Sequence, residues 1–474
     1  MRIRPGLSGA AIAVSVALVV ATWGARAPHA QAPPLTLKQQ LLAGGAMPLP
    51  VAAAHTQLAA LPRPRLAPGR LIVKTVDGAG SAALQSLAAR LGARSISYPA
   101  NADFSIVSLP ADADVVAAAA ELAAQPGVVY ATPDPVAILA YVPNDPYYQY
   151  QWGLQRIGME RAWDINPGAN AEMIVAILDS GMAYLDQGAY RQAPDLAGAT
   201  FVSPHDFIWD DDTPVDLDGH GTHVAGTIGE RTGNGVGAAG IAFNVAFMPI
   251  KVVSGPWDEA MGAPNVGTAS LLAIAIRYAA DHGAKVINLS LGFDEDVPPV
   301  KDAILYAIDK GAFVAVAAGN SGDAGSPPFY PAAYAPSVDG LVAVGAVDFD
   351  FNRAYYSNSN DYVEIAAPGG DITADENHDG YGDGILQQTI DQQLASEGVF
   401  DQFGYFFFQG TSMSTPHVSG LAALLMNEGV TDPKAVEWAI EHFATDVGEP
   451  GRDNDTGFGV INPRNTLRGL GVSR

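Results

Sequence analysis

The chain has 474 residues, of which 48% are hydrophobic and 16% charged, so it can bury one large core or two unequal ones, and disorder throughout is excluded. Acidic residues outnumber basic ones by 50 to 25, which gives a formal net charge of −25 and argues against a nucleic-acid partner, because phosphate groups would be repelled. The chain has no cysteine, which excludes disulfides, thiolate catalysis, zinc–thiolate sites and iron–sulfur clusters.

The N-terminal segment has the pattern of an export signal. Arg2 and Arg4 precede an almost uncharged apolar run that continues to residue 24. A buried core helix fits this composition poorly, whereas a retained membrane anchor stays open, since the run is near the lower length limit for spanning a bilayer. We predict a signal peptide over residues 1–32, secretion to the extracellular space or the periplasm, and no stable membrane association.

Two segments of different character follow the signal. Residues 33–69 are rich in Ala, Pro, Leu and Gln without clear periodicity and are predicted to be a linker. Residues 70–136 alternate between strand-like and helix-like patterns, which predicts a small α+β domain. Its predicted strands are 70–77, 104–110 and 128–135, and its predicted helices are 81–92 and 113–127.

Residues 142–474 carry another pattern, in which long apolar runs alternate with helical stretches. This pattern is typical of a parallel sheet covered on both faces, so we predict an α/β fold with a doubly wound, mostly parallel sheet. Functional sites in such sheets lie at the carboxyl ends of the strands. The predicted strands are 173–179, 247–253, 285–292, 313–320 and 341–348, and the predicted helices are 267–283 and 300–311.

An aspartate and a histidine lie where this pattern places the ends of elements. Asp179 ends a wholly apolar strand, where a buried carboxylate needs a partner, although an Asp that caps a turn is the plain alternative. His220 begins a glycine-flanked helix in DGHGTHVAG, and His223 lies one turn later. We treat His223 as structural, because the zinc helix motif needs two His residues four apart with a Glu between them.

The other two candidates are a serine and an asparagine. Ser412 follows Gly410 and Thr411 and precedes an amphipathic helix that is expected to have Pro416 in its first turn. Unpaired N–H groups and the helix dipole would favour an oxyanion there, while a serine N-cap is the alternative. Asn320 ends another strand, in AAGNSG, and would aim its amide at the same oxygen.

Acyl transfer at a peptide bond needs a nucleophilic hydroxyl, an imidazole, a carboxylate to orient it and donors for the oxyanion, and these candidates supply all four. The stretches AILDSG, DGHGTHVAG, NLSLG, AAGNSG and GTSMSTPHVSG follow one another across most of residues 144–463. With them the sequence resembles the subtilisin-like (subtilase) serine proteases. The chain order Asp, His, Ser is that of subtilisin and differs from the order in α/β-hydrolases.

The resemblance implies a role for each candidate. Ser412 would be the nucleophile, His220 the general base and then acid, and Asp179 the residue that holds the imidazole tautomer. Asn320 and the N–H of Ser412 would form the oxyanion hole. An edge strand would pair with extended polypeptide substrates. The implied substrate-binding residues are Ser290, Leu291, Gly292, Ala318 and Gly319.

The resemblance extends to residues 70–136, where APGRLIVK, which begins just before this range, and GVVYATPDP look like parts of a subtilase propeptide. Such a segment acts as an intramolecular chaperone and inhibitor and is removed autocatalytically. The implied protein is a secreted, monomeric serine endopeptidase with a catalytic domain over residues 142–474. The rival hypothesis is a catalytically silent relative that binds peptides or serves as an acidic calcium-binding scaffold.

Calcium is the expected cofactor, at two places. DENHDGYGD has the spacing of a calcium loop, with oxygen side chains at positions one, three, five and nine and Gly at six, but Leu386 replaces the Glu of position twelve. A solvated acidic turn is the alternative. The family likeness implies a second site at Asp195 and Asn234, and calcium would fix loops that a cysteine-free protein cannot join by disulfides. The residues of the first site are Asp375, Asn377, Asp379, Tyr381 and Asp383.

Two further stretches and one single residue are also interpreted. The acidic segment DFIWDDDTPVD, residues 206–216, is treated as a solvated face. The long acidic insertion between Gly369 and Gln409 is expected to border the cleft. Phe329 stands where many relatives in the family have Gly, near the floor of the pocket for the residue that precedes the scissile bond, which predicts a shallow pocket.

Overall fold

The computed structural model describes residues 66–76, 82–135 and 141–469. The chain divides into a small unit within residues 54–140 and a large unit from Tyr141 onward. The predicted signal peptide over residues 1–32 and most of the predicted linker lie outside the described residues. In the described part of the chain, no helix is both long and apolar enough to cross a membrane.

The small unit combines an antiparallel sheet with helices. It contains, in chain order, β1 (Leu66–Thr75), α1 (Ala82–Arg90), β2 (Ser95–Ser97), β3 (Ser105–Ser108), α2 (Val115–Ala123) and β4 (Val128–Pro135). The strands pair antiparallel in the order β2-β3-β1-β4. Alternation along β1 buries Leu71 and Val73, which pack with Leu84, Val107 and Leu122 in one apolar core. The predicted small α+β domain is confirmed.

Strand β1 begins earlier than predicted, at Leu66 rather than Arg70. Its pairing with β4 continues through an irregularity between Leu66 and Leu71, where Gly69 has a φ of +66°. Glycine adopts this left-handed backbone without steric cost, so a bulge of this kind lets the strand extend into the segment that was predicted to be linker.

In the described residues, the large unit is built on an eight-stranded parallel sheet. Its strands are β5 (Ile174–Asp179), β6 (Thr200–Phe201), β7 (His205–Asp206), β8 (Ala246–Lys251), β9 (Val286–Leu289), β10 (Phe313–Ala317), β11 (Leu341–Val347) and β12 (Ile365–Pro368). They follow the order β12-β11-β10-β9-β5-β8-β6, with β7 also paired to β8, and every pairing is parallel. The strand order reverses beside β5, which confirms the predicted doubly wound α/β fold and puts the end of β5 at a topological switch point.

Helices cover both faces of this sheet. They are α3 (Trp152–Arg156), α4 (Met159–Trp163), α5 (His220–Gly229), α6 (Pro256–Met261), α7 (Ala269–Asp281), α8 (Pro298–Asp309), α9 (Gln392–Ser396), α10 (Thr411–Asn427), α11 (Pro433–His442) and α12 (Pro463–Gly469). Val175 and Ile177 of β5 enter the core that contains α10, whereas Ala176 and Leu178 enter the core that contains α7 and α8. Both faces of the strand are therefore buried, which explains its unbroken apolar sequence.

A hairpin within the predicted insertion packs against α5. Its strands are β13 (Ile385–Ile390) and β14 (Phe403–Phe408). The Nε2 of His223 lies 3.0 Å from the carbonyl oxygen of Ile385 and 3.1 Å from that of Phe406, and its ring stacks on Phe408. Burial lowers the pKa of His223 to about 3, so this histidine is a neutral structural side chain between helix and hairpin.

The end of β8 carries a buried ion pair. The side chains of Lys251 and Asp258 are each 1% exposed, and their charged atoms are 3.0 Å apart. Asp258 also accepts hydrogen bonds from the N–H of Gly255, at 2.9 Å, and from the indole of Trp209, at 2.7 Å. Because Asp258 lies on α6 and Lys251 on β8, the pair fastens this short helix to the sheet.

We expect Asp258→Ala to lower the free energy of unfolding by about 3 kcal/mol or more, because it leaves the Lys251 ammonium buried without its counter-charge. Thermal unfolding followed by circular dichroism measures this effect. The control is Asp350→Ala, which breaks an exposed pair with Arg156 of 3.8 Å and should change the melting temperature little. Equal melting temperatures of the two variants would show that the buried pair contributes no more than the exposed one.

Candidate active site

The end of β5 meets the beginning of α5 through one hydrogen bond. Asp179 is 2% exposed, and its Oδ1 lies 2.7 Å from Nδ1 of His220. The same oxygen accepts the N–H of Ser180 at 2.7 Å, while Oδ2 is buried and has no partner among the described residues. Asp179 as acceptor requires the proton on Nδ1, so Nε2 is the imidazole nitrogen left to act on a ligand when the ring is neutral.

Two features hold the start of α5 against β5. A Cβ built on Gly221 would overlap the carbonyl oxygen of Gly181, so glycine is required for this close approach. Asp216 is 2% exposed and accepts hydrogen bonds from the N–H of Thr222 at 2.9 Å and from its hydroxyl at 2.6 Å. The prediction of a solvated face over 206–216 is therefore wrong at Asp216, because the N-terminus of the helix supplies the donors that a buried carboxylate needs. It is also wrong at Asp206, which is fully buried and accepts the N–H groups of Ile208 and Trp209.

The imidazole of His220 lies among acidic side chains. Burial lowers its pKa, but the charge of Asp179 and their hydrogen bond, with the charges of Asp218 and Asp216, outweigh that effect and raise the pKa to about 9. The side chain is 30% exposed, so part of the ring is open to solvent. The same acidic neighbours would stabilise the imidazolium that forms when Nε2 takes up a proton, while Nδ1 stays bound to Asp179.

Ser412 is the second residue of α10, so its N–H belongs to the helix N-terminal donors that have no partner within the helix. Its hydroxyl donates to the carbonyl oxygen of Ser290 at 3.1 Å, and the hydroxyl of Ser290 donates to the carbonyl oxygen of Ser412 at 2.8 Å. Among the hydrogen bonds of the described residues, none joins Ser412 to His220. The structure thus shows two pairs, Asp179 with His220 and Ser290 with Ser412.

Pro416 explains the bond that Ser290 donates. It is the sixth residue of α10, and the expectation that it lies in the first turn is wrong. A helical residue donates its N–H to the carbonyl four residues earlier, but proline has no N–H to donate. The carbonyl of Ser412 therefore has no partner within the helix, and it accepts the hydroxyl of Ser290 instead.

Asn320 follows β10 and faces the start of α10. Its Oδ1 accepts the N–H and the hydroxyl of Thr411, both at 2.9 Å. Because the N–H of Thr411 requires an acceptor, the orientation of the amide is fixed and Nδ2 is left to donate elsewhere. Asn320 is exposed, so this donor is accessible to a ligand.

Residues 290–292, which the resemblance assigns to an edge strand, follow β9, a central strand that lies between β10 and β5. β9 ends at Leu289, so residues 290–292 lie outside it, and the predicted strand 285–292 is too long. The reason is that the chain turns away to pair Phe293 with Tyr330, an interaction that the apolar pattern does not reveal.

Ala318 and Gly319 form a segment beside Asn320. The N–H of Ala318 donates to Val344 at 3.0 Å, and its carbonyl accepts the hydroxyl of Tyr362 at 3.1 Å. The N–H of Gly319 donates to the hydroxyl of Thr411 at 3.3 Å. These backbone groups are engaged within the protein, so the segment forms a wall beside the site rather than a strand with free pairing groups.

The predicted calcium loop is folded by its own side chains. Oδ1 of Asp375 and Oδ1 of Asn377 both accept the N–H of Asp379, at 3.1 and 2.8 Å, and Asp379 accepts the N–H of Tyr381 at 2.9 Å. Asp383 is 1% exposed, and its Oδ1 is buried with no partner in the described part of the chain. Leu386, at position twelve, is buried in β13 and supplies no ligand.

The second predicted metal pair, Asp195 and Asn234, is in direct contact, and Asn234 also contacts Asp145, a residue that sequence reasoning missed. Asp195 is fully buried and accepts the side-chain amide of Asn234 at 3.0 Å. Asp145 accepts the N–H of Gly233 at 2.7 Å and that of Asn234 at 3.1 Å. Burial raises the pKa of Asp195, and it raises that of Asp145 to about 6. No local spacing indicates Asp145, because its loop partners lie far along the chain.

Comparison with known proteins identifies the family. Residues 170–459, more than half of the chain, match the Subtilase family. The chain belongs to the subtilase family. Residues 52–134 match the fervidolysin N-terminal prodomain, so this subtilase carries a prodomain ahead of its catalytic unit. The resemblance that the sequence motifs indicate is thereby confirmed.

Individual relatives agree with this assignment. This subtilase is 37% identical over 343 residues to the thermophilic serine proteinase of Bacillus sp. (strain AK1). The aligned region covers 72% of this chain and 73% of that protein. It is 34% identical to thermitase of Thermoactinomyces vulgaris, over 66% of this chain and 94% of thermitase. A solved protease structure from Pseudoalteromonas arctica PAMC 21717 matches 70% of this chain and all of that one, at a TM-score of 0.56 and 26% identity. This subtilase is a subtilisin-like serine endopeptidase.

We expect Asp179→Asn to move the pKa of His220 from about 9 to below about 7, because the variant loses the negative charge while the burial that lowers the pKa remains. NMR titration of protein with labelled histidine measures the shift. Asp212→Asn is the control, since Asp212 contacts His205 and should leave His220 unchanged. The same titration midpoint in wild type and Asp179→Asn would disprove the electrostatic origin of the shift.

Proposed function

We propose that this subtilase hydrolyses peptide bonds through an acyl-enzyme on Ser412, with His220 as general base and Asp179 as its orienting carboxylate. The observation that carries the proposal is the 2.7 Å hydrogen bond from His220 to buried Asp179, at the carboxyl ends of the strands, where α10 also begins and carries Ser412 as its second residue. In the reactive state the Ser412 hydroxyl exchanges the Ser290 carbonyl for Nε2 of His220 as its acceptor. An apo hydroxyl that faces another acceptor is compatible with this exchange.

The reaction follows from these assignments. The oxygen of Ser412 attacks the carbonyl carbon of the substrate, and its proton passes to Nε2 of His220. The tetrahedral intermediate collapses as the C–N bond breaks and the imidazolium returns the proton to the leaving amine. Water then attacks the ester by the same route, and the carboxylic product leaves with Ser412 restored. Asp179 stays ionised throughout and stabilises the imidazolium.

Two donors are proposed to stabilise the oxyanion, the N–H of Ser412 and Nδ2 of Asn320. Thr411 donates two hydrogen bonds of 2.9 Å to Oδ1 of Asn320, so Nδ2 of the same amide is oriented before substrate binds. A donor that is fixed in advance requires no reorganisation as charge develops. Loss of one such donor in a subtilisin lowers kcat by about 10²- to 10³-fold.

Polypeptides in extended conformation are the proposed substrates. Residues 290–292 leave the sheet after β9 and would pair with the substrate by strand addition, while Ala318 and Gly319 form the wall beside Asn320. Such pairing requires an extended substrate backbone, so unfolded or loop segments are cleaved in preference to helices.

We further propose that the enzyme is a secreted monomer made as a precursor. Its parts are a signal peptide over 1–32, a linker that begins at residue 33 and ends before β1, a propeptide that contains β1 and continues to residue 136, and a catalytic domain over 142–474. The propeptide is proposed to inhibit the enzyme and to assist its folding. The prodomain match and the basic and apolar N-terminal run support this order. Removal of the propeptide is proposed to be autocatalytic.

We expect Ser412→Ala to accumulate as an uncut precursor and to take no fluorophosphonate label, because it lacks the nucleophile, whereas wild type is processed near residue 141 and labelled. N-terminal sequencing and mass spectrometry measure both results. Ser414→Ala is the matched control and should leave processing intact, since the hydroxyl of this buried serine of α10 makes, within the described part of the chain, only a 3.5 Å hydrogen bond to the Gly410 carbonyl.

Two other outcomes would count against the proposal. Purified Ser412→Ala that is still trimmed near residue 141 would show that processing is not autocatalytic. Native protein that takes no label and cleaves no casein would favour a catalytically silent relative that binds peptides.

Calcium is the proposed structural cofactor, and the residues fit it. The buried Oδ1 of Asp383 has no partner among the described residues and is free to bind a cation. Buried Asp145 and Asp195, from two separate segments, both contact the loop of residues 233–238, and two buried carboxylates at one loop need a counter-charge. Bound calcium supplies positive charge that fixes these loops. The proposed ligands are Asp375, Asn377, Asp379, Tyr381 and Asp383 at the first site, and Asp145, Asp195 and Asn234 at the second.

We expect a chelator to lower the melting temperature of Ser412→Ala, a background that excludes autolysis, because the buried carboxylates lose their counter-charge. Asp383→Asn should reduce that response and remove calcium binding measured by calorimetry at the first site. Asp309→Asn, an exposed substitution on α8, should respond to the chelator as the parent does. An unchanged melting temperature of the parent in chelator would disprove both sites.

A further inference from the structure

Two segments leave the sheet side by side next to Ser412. They are residues 290–292, which follow β9, and residues 318–320, which follow β10, and these strands are paired up to Leu289 and Val316. Ser290 contacts Ser412, and Asn320 contacts Thr411, so each segment touches the beginning of α10.

The proposed function gives these two segments a place beside the substrate. If the acyl carbon lies in reach of Ser412 with its oxygen at Nδ2 of Asn320, the substrate residue that carries it would lie between residues 290–292 and 318–320. Its side chain would then point into the gap between Gly292 and Gly319. Both wall positions are glycines, which would leave an open pocket if nothing else filled the space.

The ring of Phe329 fills that gap. A Cβ built on Gly292 would overlap Cε1 of Phe329 and lie 2.7 Å from its Cζ. A Cβ built on Gly319 would lie 3.1 Å from Cγ of the same ring. The ring therefore packs against the glycines of both segments. It occupies the space that the absence of a side chain at these two positions leaves open.

The backbone on each side of Phe329 is held in place. The N–H of Tyr330 donates to the carbonyl of Phe293 at 2.8 Å, and the N–H of Phe293 donates back to Tyr330 at 2.6 Å. On the other side, the carbonyl of Pro327 accepts the side-chain amide of Asn358 at 3.2 Å. The ring also packs against the apolar core around α7 and α8. With its backbone held, the ring can leave the gap only by rotating about its side-chain bonds, and it then loses its packing against this core.

We propose that Phe329 is a specificity-determining residue that restricts the substrate position preceding the scissile bond to Gly, Ala or Ser. The inference rests on the proposed function, since it takes Ser412 and Asn320 as the groups that position the acyl carbon. Polypeptides rich in small residues are the substrate class that this site favours. Aromatic and long aliphatic side chains at that position are excluded by volume.

The test uses mature enzyme and fluorogenic peptides that differ only in the residue before the scissile bond, which is Ala, Leu or Phe. Wild type should have a kcat/KM for the Ala peptide that is at least about 100-fold above that for the Phe peptide. Phe329→Gly should raise kcat/KM for the Phe peptide by at least about 10-fold and change the Ala peptide by less than about 3-fold.

Two further variants sharpen the test. Phe329→Leu retains much of the side-chain volume and should give an intermediate preference, which serves if Phe329→Gly is unstable. Phe458→Ala removes a partly exposed phenylalanine elsewhere in the large unit and should keep the wild-type preference.

Fluorophosphonate labelling separates the failure of this inference from failure of the proposed function. Labelled wild type that cleaves after Phe as fast as after Ala would overturn the role of Phe329 alone. An unchanged ratio in labelled Phe329→Gly would do the same. Wild type that takes no label and cleaves none of the peptides would overturn the proposed function, and the inference with it.

Discussion

The hydrogen bond between Asp179 and His220 is the interaction on which the rest of the site depends. A carboxylate that is 2% exposed has lost its water, and the 2.7 Å contact with Nδ1 is the bond that compensates part of this loss. The bond requires the last residue of β5 to meet the first residue of α5, and Gly221 permits that approach. Burial of one charge at a strand end thus fixes both the position and the tautomer of the imidazole.

The parallel sheet turns long separations along the chain into contacts. Asp179 and His220 are 41 residues apart, and Ser290 and Ser412 are 122 residues apart. The parallel strands of a doubly wound sheet have their carboxyl ends on the same side, so the segments that leave them meet the helix N-termini there. The start of α10 is held on one side by Ser290 and on the other by Asn320. Ser412 therefore stands on a helix end that is positioned before any substrate arrives.

The apolar runs predict the sheet correctly because strands buried on both faces leave no polar alternation. They do not predict strand ends or buried carboxylates that depend on contacts with a distant part of the chain. The strand predicted to run to Gly292 stops at Leu289, since pairing of Phe293 with Tyr330 draws it away. The burial of Asp216 depends on donors of α5, and the contact of Asp145 spans 88 residues, so neither leaves a local pattern.

The central claim is that the pair of Asp179 and His220 and the pair of Ser290 and Ser412 rearrange into one catalytic system. A crystal structure of the protein with a phosphonyl group on Ser412 measures this most directly. We predict Nε2 of His220 within about 3.2 Å of the Ser412 oxygen, with Nδ1 still bound to Asp179 and the phosphonyl oxygen facing Nδ2 of Asn320. An imidazole turned away from Ser412, with the phosphonyl oxygen in solvent, would contradict the claim.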